Sequence, residues 1–326
     1  MKVFSRYFLN HCRFYCSDSV YSFPLRTFMY VPGDDERKIL KASKCKADMI
    51  CLDCEDGVAV TKKASARETI RKTLDSSEFK TDTSICVRIN STQSEEAKLD
   101  IDSALAAERL PDAICLSKVE NPSDMDWLFH KMYNVIRGRE DHFSKYGSSI
   151  LKQYSRLAAI DQQLLLGFET TMSFTRSMSS ELRLFEDKCG GDDWRAAVGA
   201  ERTVDDLEVL YPRLRILSTV KAFGLRAIDM VHTQLNDIEG LQKHSASSAQ
   251  LGFSGRQIIH PSQVDAVNQA YTPSTERIDY AKRLLAAFDD SQLKGKGAFN
   301  FEGRMIDQPL YLQAKNIVNL AEKLNL

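Results

Sequence analysis

The sequence lacks an excess of charge of either sign. The 326 residues carry a formal net charge of -1, so the overall field gives no reason to expect binding to nucleic acid or to a membrane. The chain also lacks any apolar run that approaches the roughly 18 residues of a membrane-spanning helix. With 43% hydrophobic and 27% charged residues, it is instead typical of one large globular domain with an extension.

Several of the eight cysteines lie where a thiol acts as a small apolar side chain. Cys51, Cys86 and Cys115 are inside short apolar runs, which predicts buried thiols in a reducing compartment. Cys51 and Cys54 have the C-x-x-C spacing, but they flank part of a predicted strand. Side chains three positions apart on a strand point to opposite faces. We therefore expect no metal shared by this pair.

Residues 1–25 differ in composition from the remainder. Lys2, Arg6 and Arg13 are interspersed with aromatic residues, leucine and serine, and the first acidic residue is Asp18. A basic, serine-containing and acid-poor start resembles a mitochondrial transit peptide. A short disordered tail is the alternative. We expect targeting to the mitochondrial matrix.

From Thr27 onward, short apolar runs alternate with longer charged segments of helical period. This alternation predicts a parallel sheet, and the number of units favours a (β/α)8 TIM barrel with a C-terminal helical lid extension. The predicted helices include Asp34–Ser43, Lys62–Leu74 and Val204–Phe223. The predicted strands are Thr27–Val31, Met49–Leu52, Ser84–Ile89, Ala113–Leu116, Leu164–Phe168, Ala227–Val231 and Gln257–Ile259.

Polar side chains follow most of these predicted strands. The active site of a barrel lies at the carboxyl ends of its strands, so these residues are expected to form a ring around a pocket. They are Asp53, Glu55, Asp56, Arg88, Lys118, Glu120, Glu169 and His260.

The chain changes in character after His260. Two predicted helices, Ser274–Phe288 and Pro309–Leu326, flank a glycine-containing loop with Phe299 and Phe301. The loop suits a mobile lid or a surface hairpin with both aromatic rings packed down. We predict three regions, namely residues 1–25 (transit peptide), 26–270 (catalytic barrel) and 271–326 (lid and oligomerisation extension).

Two acidic residues are candidate metal ligands. Glu169 stands alone after an apolar run, and Asp193 closes the segment Gly190–Asp193. Two carboxylates at neighbouring strand ends suit Mg²⁺, and Arg88 suits the carboxylate of a hydroxy or keto acid. Each residue alone is more often a salt-bridge partner or a helix cap. The set, at strand ends, favours a site.

Several motifs together resemble the citrate-lyase-β-like aldolases and lyases. The resemblance extends from Thr27 to the C-terminus. It rests on the segments Tyr30–Gly33, Leu52–Gly57, Val87–Asn90, Gly190–Asp193, Lys221–Leu225, Gly252–Pro261 and Gly295–Phe299.

The resemblance implies a Mg²⁺-dependent cleavage of (3S)-citramalyl-CoA to acetyl-CoA and pyruvate, in a homotrimeric barrel. It also implies malate-synthase, β-methylmalate-synthase or malyl-CoA-thioesterase side activities. By motif, Glu169 and Asp193 match the metal ligands, and Arg88 matches the arginine that holds the substrate carboxylate. Asp307 matches a catalytic aspartate that the lid delivers to a neighbouring subunit. The positions that match contacts to CoA or substrate are Tyr30, Arg37, Lys41, Ile259 and His260.

The sequence departs from the family pattern at two places. Ser117 replaces a usual proline. The segment Thr170–Cys189 is shortened and is charged where an apolar strand is expected, and charged side chains inside a barrel are costly. An abbreviated helix and strand, a splice or gene-model variant, and a degenerate family member are all consistent with this segment.

Three functions remain open from the sequence. The first is the Mg²⁺-dependent acyl-CoA lyase. The second is a class II pyruvate aldolase that acts on free acids, against which Asp307 and the CoA-type positions argue. The third is a barrel that binds CoA esters or a partner without turnover, because the segment Thr170–Cys189 is shortened.

Overall fold

A computed structural model describes residues 24–76, 83–119, most of 123–134, 191–222, 226–293 and 297–326. Its main feature is a parallel sheet of six strands in the order β4-β3-β2-β1-β6-β5. The strands are β1 (Thr27–Pro32), β2 (Met49–Asp53), β3 (Ser84–Ile89), β4 (Ala113–Leu116), β5 (Ile228–Asp229) and β6 (Gly255–Ile258).

Helices connect these strands and cover one face of the sheet. None of the described helices is long and apolar enough to cross a membrane. The helices of this region are α1 (Glu36–Ala42), α2 (Lys63–Asp75), α3 (Glu95–Ala106), α4 (Gly191–Val198), α5 (Leu210–Ala222), α6 (Ile238–Leu251) and α7 (Val264–Tyr271).

The two faces of the sheet have different compositions. The helix face carries large aliphatic side chains such as Ile50, Leu52 and Ile85, which form the main hydrophobic core with the helices. The opposite face, called the inner face below, carries a second hydrophobic cluster with fewer members, among them Cys51, Cys86 and Cys115. Cys51 belongs to the inner-face cluster and Cys54 to the helix-face core, so the prediction that their side chains point to opposite faces is confirmed.

The predicted α/β class with a parallel sheet is confirmed, and β1 to β4 follow the predicted runs closely. The run Ala227–Val231 forms a strand only at Ile228–Asp229. The run Leu164–Phe168 lies outside the described residues, so closure into eight strands stays a prediction. The last strand begins and ends earlier than predicted, at Gly255 and Ile258. The helix predicted over Val204–Phe223 is wrong at its start. An α-helix begins only at Leu210, because Asp206 has a left-handed backbone with φ of 55°.

The C-terminal region has its own small core. It consists of α8 (Thr275–Leu293), the antiparallel hairpin β7 (Phe299–Phe301) and β8 (Arg304–Ile306), and α9 (Gln308–Lys323). Phe299 and Phe301 pack against a buried cluster that includes Phe288 and Ile306. The hairpin interpretation of this loop therefore describes its local structure. The boundaries predicted for the three regions stay predictions.

Candidate active site

The turn after β2 places three carboxylates at the carboxyl edge of the sheet. Asp53 shapes this turn, because its two carboxylate oxygens accept hydrogen bonds from the backbone N–H of Glu55 at 2.7 Å and of Gly57 at 2.9 Å. A Cβ atom at Gly57 would lie 2.6 Å from an Asp53 carboxylate oxygen, so a larger residue would displace the carboxylate that shapes the turn. Glu55 is buried and Asp56 is exposed.

Two buried side chains hold this turn from behind. The Lys63 ammonium donates to the carbonyl oxygens of Cys54 at 2.7 Å and Glu55 at 2.6 Å. The Asn90 side-chain amide also donates to the Cys54 carbonyl, at 2.9 Å, and to the Asp100 carboxylate at 2.6 Å. Buried donors and acceptors that are paired in this way fix the backbone. The carboxylate of Glu55 is therefore presented from a rigid segment.

Arg88 lies on the inner face of β3, two residues after Cys86, and only 7% of its surface is exposed. Its Nε donates to the Ser117 hydroxyl at 2.9 Å. Its Nη1 lies 3.4 Å from an Asp53 oxygen and its Nη2 lies 2.8 Å from a Glu55 oxygen. The guanidinium is thus nearly buried and is compensated by carboxylates, as a buried cation must be.

Lys118 follows Ser117 and completes the cluster of charges. Its ammonium contacts Glu55 and lies 2.9 Å from Asp56. Burial raises the pKa of Glu55 above its ordinary value of 4.5, although Arg88 acts to lower it. Burial also acts to raise the pKa of Asp56, but hydrogen bonds with Glu55 and Lys118 outweigh it and lower this pKa. Burial acts to lower the pKa of Lys118, but hydrogen bonds with Glu55 and Asp56 outweigh it and raise this pKa.

Tyr30 lies in the carboxyl-terminal half of β1, beside this cluster. The Arg88 guanidinium carbon lies 5.3 Å from the centre of the Tyr30 ring, within the range of a cation–π contact. Arg37 and Lys41 lie on α1, four residues apart and both exposed, so they occupy one helix face. The structure therefore places Tyr30 with Arg88, and it places the two cations on the helix that follows β1.

Ile259 and His260 follow β6 directly. Ile259 is exposed, and its backbone N–H donates to the Gln263 side chain at 2.9 Å. The His260 ring Nδ1 lies 2.8 Å from the Ser262 hydroxyl and accepts from the Ser262 backbone N–H at 3.2 Å. The pair thus reaches the carboxyl edge of the sheet, and His260 also caps the short helical turn that follows.

The two predicted metal ligands are Glu169 and Asp193. Glu169 lies outside the described residues, and so does the side chain of Asp193, whose backbone belongs to the first turn of α4. A Cβ at Gly191 would lie 2.6 Å from the Met230 sulfur. The start of α4 therefore packs against the residue that follows β5. Among the described side chains, no group of three or more His, Cys, Asp or Glu residues has the arrangement of a metal site.

Asp307 is exposed at the junction of β8 and α9. Its carboxylate accepts a hydrogen bond from the Leu310 backbone N–H at 3.3 Å, as an N-cap residue of α9. Capping is a common structural role for aspartate. The position also leaves the carboxylate at the surface of the extension, where it can meet another surface.

Sequence reasoning missed the side chains that surround Arg88. Glu55 and Lys118 were noted only as polar residues at strand ends, and Ser117 only as a departure from the family pattern. The signal that links them is the parallel register, which pairs Asp53 with Arg88 and Arg88 with Cys115. Residues adjacent to these pairs meet at one edge of the sheet.

A second cluster of charges lies on the helix face of β5 and β6. Asp229 is fully buried and accepts from Arg213 of α5 at 2.9 Å and 2.5 Å and from Arg256 of β6 at 3.0 Å. Burial acts to raise the pKa of Asp229, but Arg256 and Arg213 outweigh it and lower this pKa. This cluster is enclosed between strands and helix, away from the inner face.

A family model and the similar proteins agree on the family of this chain. Residues 26–261 match the family described as HpcH/HpaI aldolase/citrate lyase. The chain is 42% identical over 302 residues to the mitochondrial citramalyl-CoA lyase of Rattus norvegicus, across 91% of this chain and 86% of that protein.

Solved structures agree with the fold. The chain resembles CitE from Mycobacterium tuberculosis, solved in complex with magnesium, acetoacetate and coenzyme A, with a TM-score of 0.61 and 25% identity. The match covers 92% of this chain and 99% of that one. A citrate lyase from Burkholderia xenovorans has a TM-score of 0.70 at 19% identity, with 92% of both chains covered, and supports the fold alone. The expected class of enzyme, a lyase, is confirmed, and the chain belongs to the HpcH/HpaI aldolase/citrate lyase family.

Proposed function

We propose that the chain is a Mg²⁺-dependent lyase that cleaves (3S)-citramalyl-CoA to acetyl-CoA and pyruvate. The observation that carries this proposal is the nearly buried Arg88 on the inner face, beside Tyr30 and at the carboxyl edge of the sheet. The rat relative, 42% identical, is named for the same reaction. Eight-strand closure of the barrel is part of the proposal.

Arg88 binds the carboxylate at the pyruvate end of the substrate. A guanidinium matches a carboxylate through two parallel hydrogen bonds, and the low exposure of Arg88 makes each charge-assisted bond stronger than in water. The same contact orients the adjacent hydroxyl-bearing carbon. The hydroxyl on that carbon gives up its proton to water, and its oxygen then forms the carbonyl of pyruvate as the adjacent carbon–carbon bond breaks. The electron pair of that bond passes to the enolate of acetyl-CoA.

Glu169 and Asp193 are the residues that would hold Mg²⁺. Two carboxylates form the hard oxygen donor set that this ion prefers, and the packing of Gly191 on Met230 brings the Asp193 backbone to the carboxyl edge of the sheet. When bound, the ion supplies a Lewis acid for the oxygen that develops charge.

Asp307 is the proton donor to the departing acetyl-CoA carbon. Its exposed position on the extension suits delivery to a neighbouring subunit of a homotrimer. Arg37 and Lys41 contact CoA phosphates, with Tyr30, Ile259 and His260 nearer the acyl end.

Two further parts of the proposal concern localisation and side reactions. Residues 1–25 direct the chain to the mitochondrial matrix. The synthase and thioesterase side activities use the same site.

The test is release of pyruvate from (3S)-citramalyl-CoA by the purified chain, measured through a coupled dehydrogenase. We expect turnover with Mg²⁺ and a loss of at least about a hundredfold with EDTA. Turnover that persists without metal would contradict the proposal.

Calorimetry tests the alternative function, a CoA-ester-binding barrel with an impaired site. Binding of CoA without binding of Mg²⁺, together with absent turnover, would favour that alternative.

A further inference from the structure

We propose that Glu55 and Ser117 are positioning residues for Arg88, and that together they fix the angle at which its guanidinium meets a substrate carboxylate. The inference rests on the proposed function, because it assigns a role in binding the pyruvate end of the substrate. Neither residue carries a role from the motifs of the sequence, and each contacts Arg88 from a different strand end.

The two contacts act at opposite ends of the guanidinium. The Ser117 hydroxyl accepts from Nε at 2.9 Å and the Glu55 carboxylate lies 2.8 Å from Nη2. A planar group that is held at two separate nitrogens cannot turn about its long side-chain axis. The Tyr30 ring, 5.3 Å from the central carbon, closes one flat side. The orientation of Arg88 is therefore set before a ligand arrives, which lowers the entropy lost on binding.

Glu55 is better suited to this role than its two acidic neighbours. Asp53 already accepts hydrogen bonds from two backbone N–H groups and lies 3.4 Å from Arg88. Asp56 has a side chain that is 59% exposed and lies 3.7 Å from Arg88. Glu55 is buried, its carbonyl is fixed by Lys63, and its second carboxylate oxygen contacts Lys118. One side chain thus joins both cations of the cluster.

Ser117 provides the other contact and is fully buried. Its hydroxyl accepts the hydrogen bond from Arg88. The proline that is usual in the family pattern has no side-chain acceptor. A hydrogen bond between a buried hydroxyl and a nearly buried charged donor is stronger than the same bond in water. The departure at this position therefore adds a second point of fixation to Arg88.

The test compares two inhibitors of the lyase reaction in the full chain. Pyruvate reports on the Arg88 end of the site, and free CoA reports on the other end. We expect Glu55→Gln to weaken inhibition by pyruvate about tenfold and Ser117→Ala about threefold, since hydrogen bonds to charged groups have such effects. Inhibition by CoA should stay within about twofold of the parent, because the proposed CoA phosphate contacts, Arg37 and Lys41, lie on α1 and not on β3.

Glu55→Asp separates position from charge. It keeps the negative charge but is one methylene shorter, so it should weaken pyruvate inhibition as Glu55→Gln does. Matched controls are Glu68→Gln, in an exposed ion pair on α2, and Ser65→Ala, whose hydroxyl donates to the Lys62 backbone at an exposed turn. Both control variants should be inhibited by pyruvate and by CoA to the same extent as the parent.

Three results would overturn the inference. The first is unchanged pyruvate inhibition in both Glu55→Gln and Ser117→Ala. The second is an equal loss of pyruvate and CoA inhibition, because a general structural defect moves both. The third is a parent chain that releases no pyruvate from citramalyl-CoA, which contradicts the proposed function as well. An active parent with unaltered variants contradicts the positioning role alone.

Discussion

Two clusters of buried charge lie on opposite faces of the same sheet. On the helix face, Asp229 is enclosed by Arg213 and Arg256. On the inner face, Arg88 meets Glu55, which in turn meets the partly exposed Lys118. Both clusters pair their charges, so pairing alone does not separate structure from function. The difference is that the first is closed on all sides by core elements, whereas the second lies at the edge where a barrel binds its substrate.

Substitutions in the group around Asp229 should affect stability, and substitutions in the group around Arg88 should affect binding. A charge in a closed cluster has no alternative partner, so its loss leaves other charges buried without compensation. A charge at the carboxyl edge can exchange one partner for a ligand. The charged group around Asp229 should therefore control folding, and the charged group around Arg88 should control recognition of the substrate carboxylate.

The largest effect on stability is expected for Asp229→Asn. The change removes the carboxylate shared by Arg213 and Arg256, which are both buried, and breaking a buried pair typically costs about 3–5 kcal/mol. Urea denaturation measures this loss. The matched control Asp102→Asn, on the exposed side of α3, should change the free energy of unfolding by less than about 0.5 kcal/mol. Equal stability of the two variants would remove the distinction between the clusters.

A smaller effect is expected in the pH dependence contributed by Glu55. Burial raises its pKa in the folded protein above the ordinary value of 4.5, so the folded state binds more protons in that range. This contribution to stability is present below the ordinary pKa and is lost as the pH rises through the raised value. The free energy of unfolding of the parent, relative to Glu55→Gln, should therefore fall as the pH rises above 4.5.

Glu68 provides the contrast for this measurement. Its hydrogen bond with Lys72 lowers its pKa, so its contribution is present above the ordinary pKa and is lost as the pH falls. The parent relative to Glu68→Gln should show no decline in stability with rising pH. A decline shared by both comparisons would place its origin elsewhere than in the burial of Glu55.

Much of the sheet could be predicted from the sequence, because strands covered on both faces are short and continuously apolar. The runs Met49–Leu52 and Ala113–Leu116 coincide with β2 and β4 almost to the residue. The contacts of Ser117 could not be predicted, because its partner Arg88 is 29 positions away. Asp229 likewise lies in an apolar run, and only the fold reveals the two arginines that compensate it.

The most direct test of the central claim is the rate of pyruvate release from (3S)-citramalyl-CoA by Arg88→Lys in the presence of Mg²⁺. Lysine keeps the positive charge that compensates Glu55, but it lacks the planar fork that matches a carboxylate. We predict that kcat/KM falls by about a hundredfold or more while the melting temperature stays close to that of the parent. A folded Arg88→Lys variant that releases pyruvate at the rate of the parent would contradict the assignment of Arg88 and the carboxylates around it to the active site.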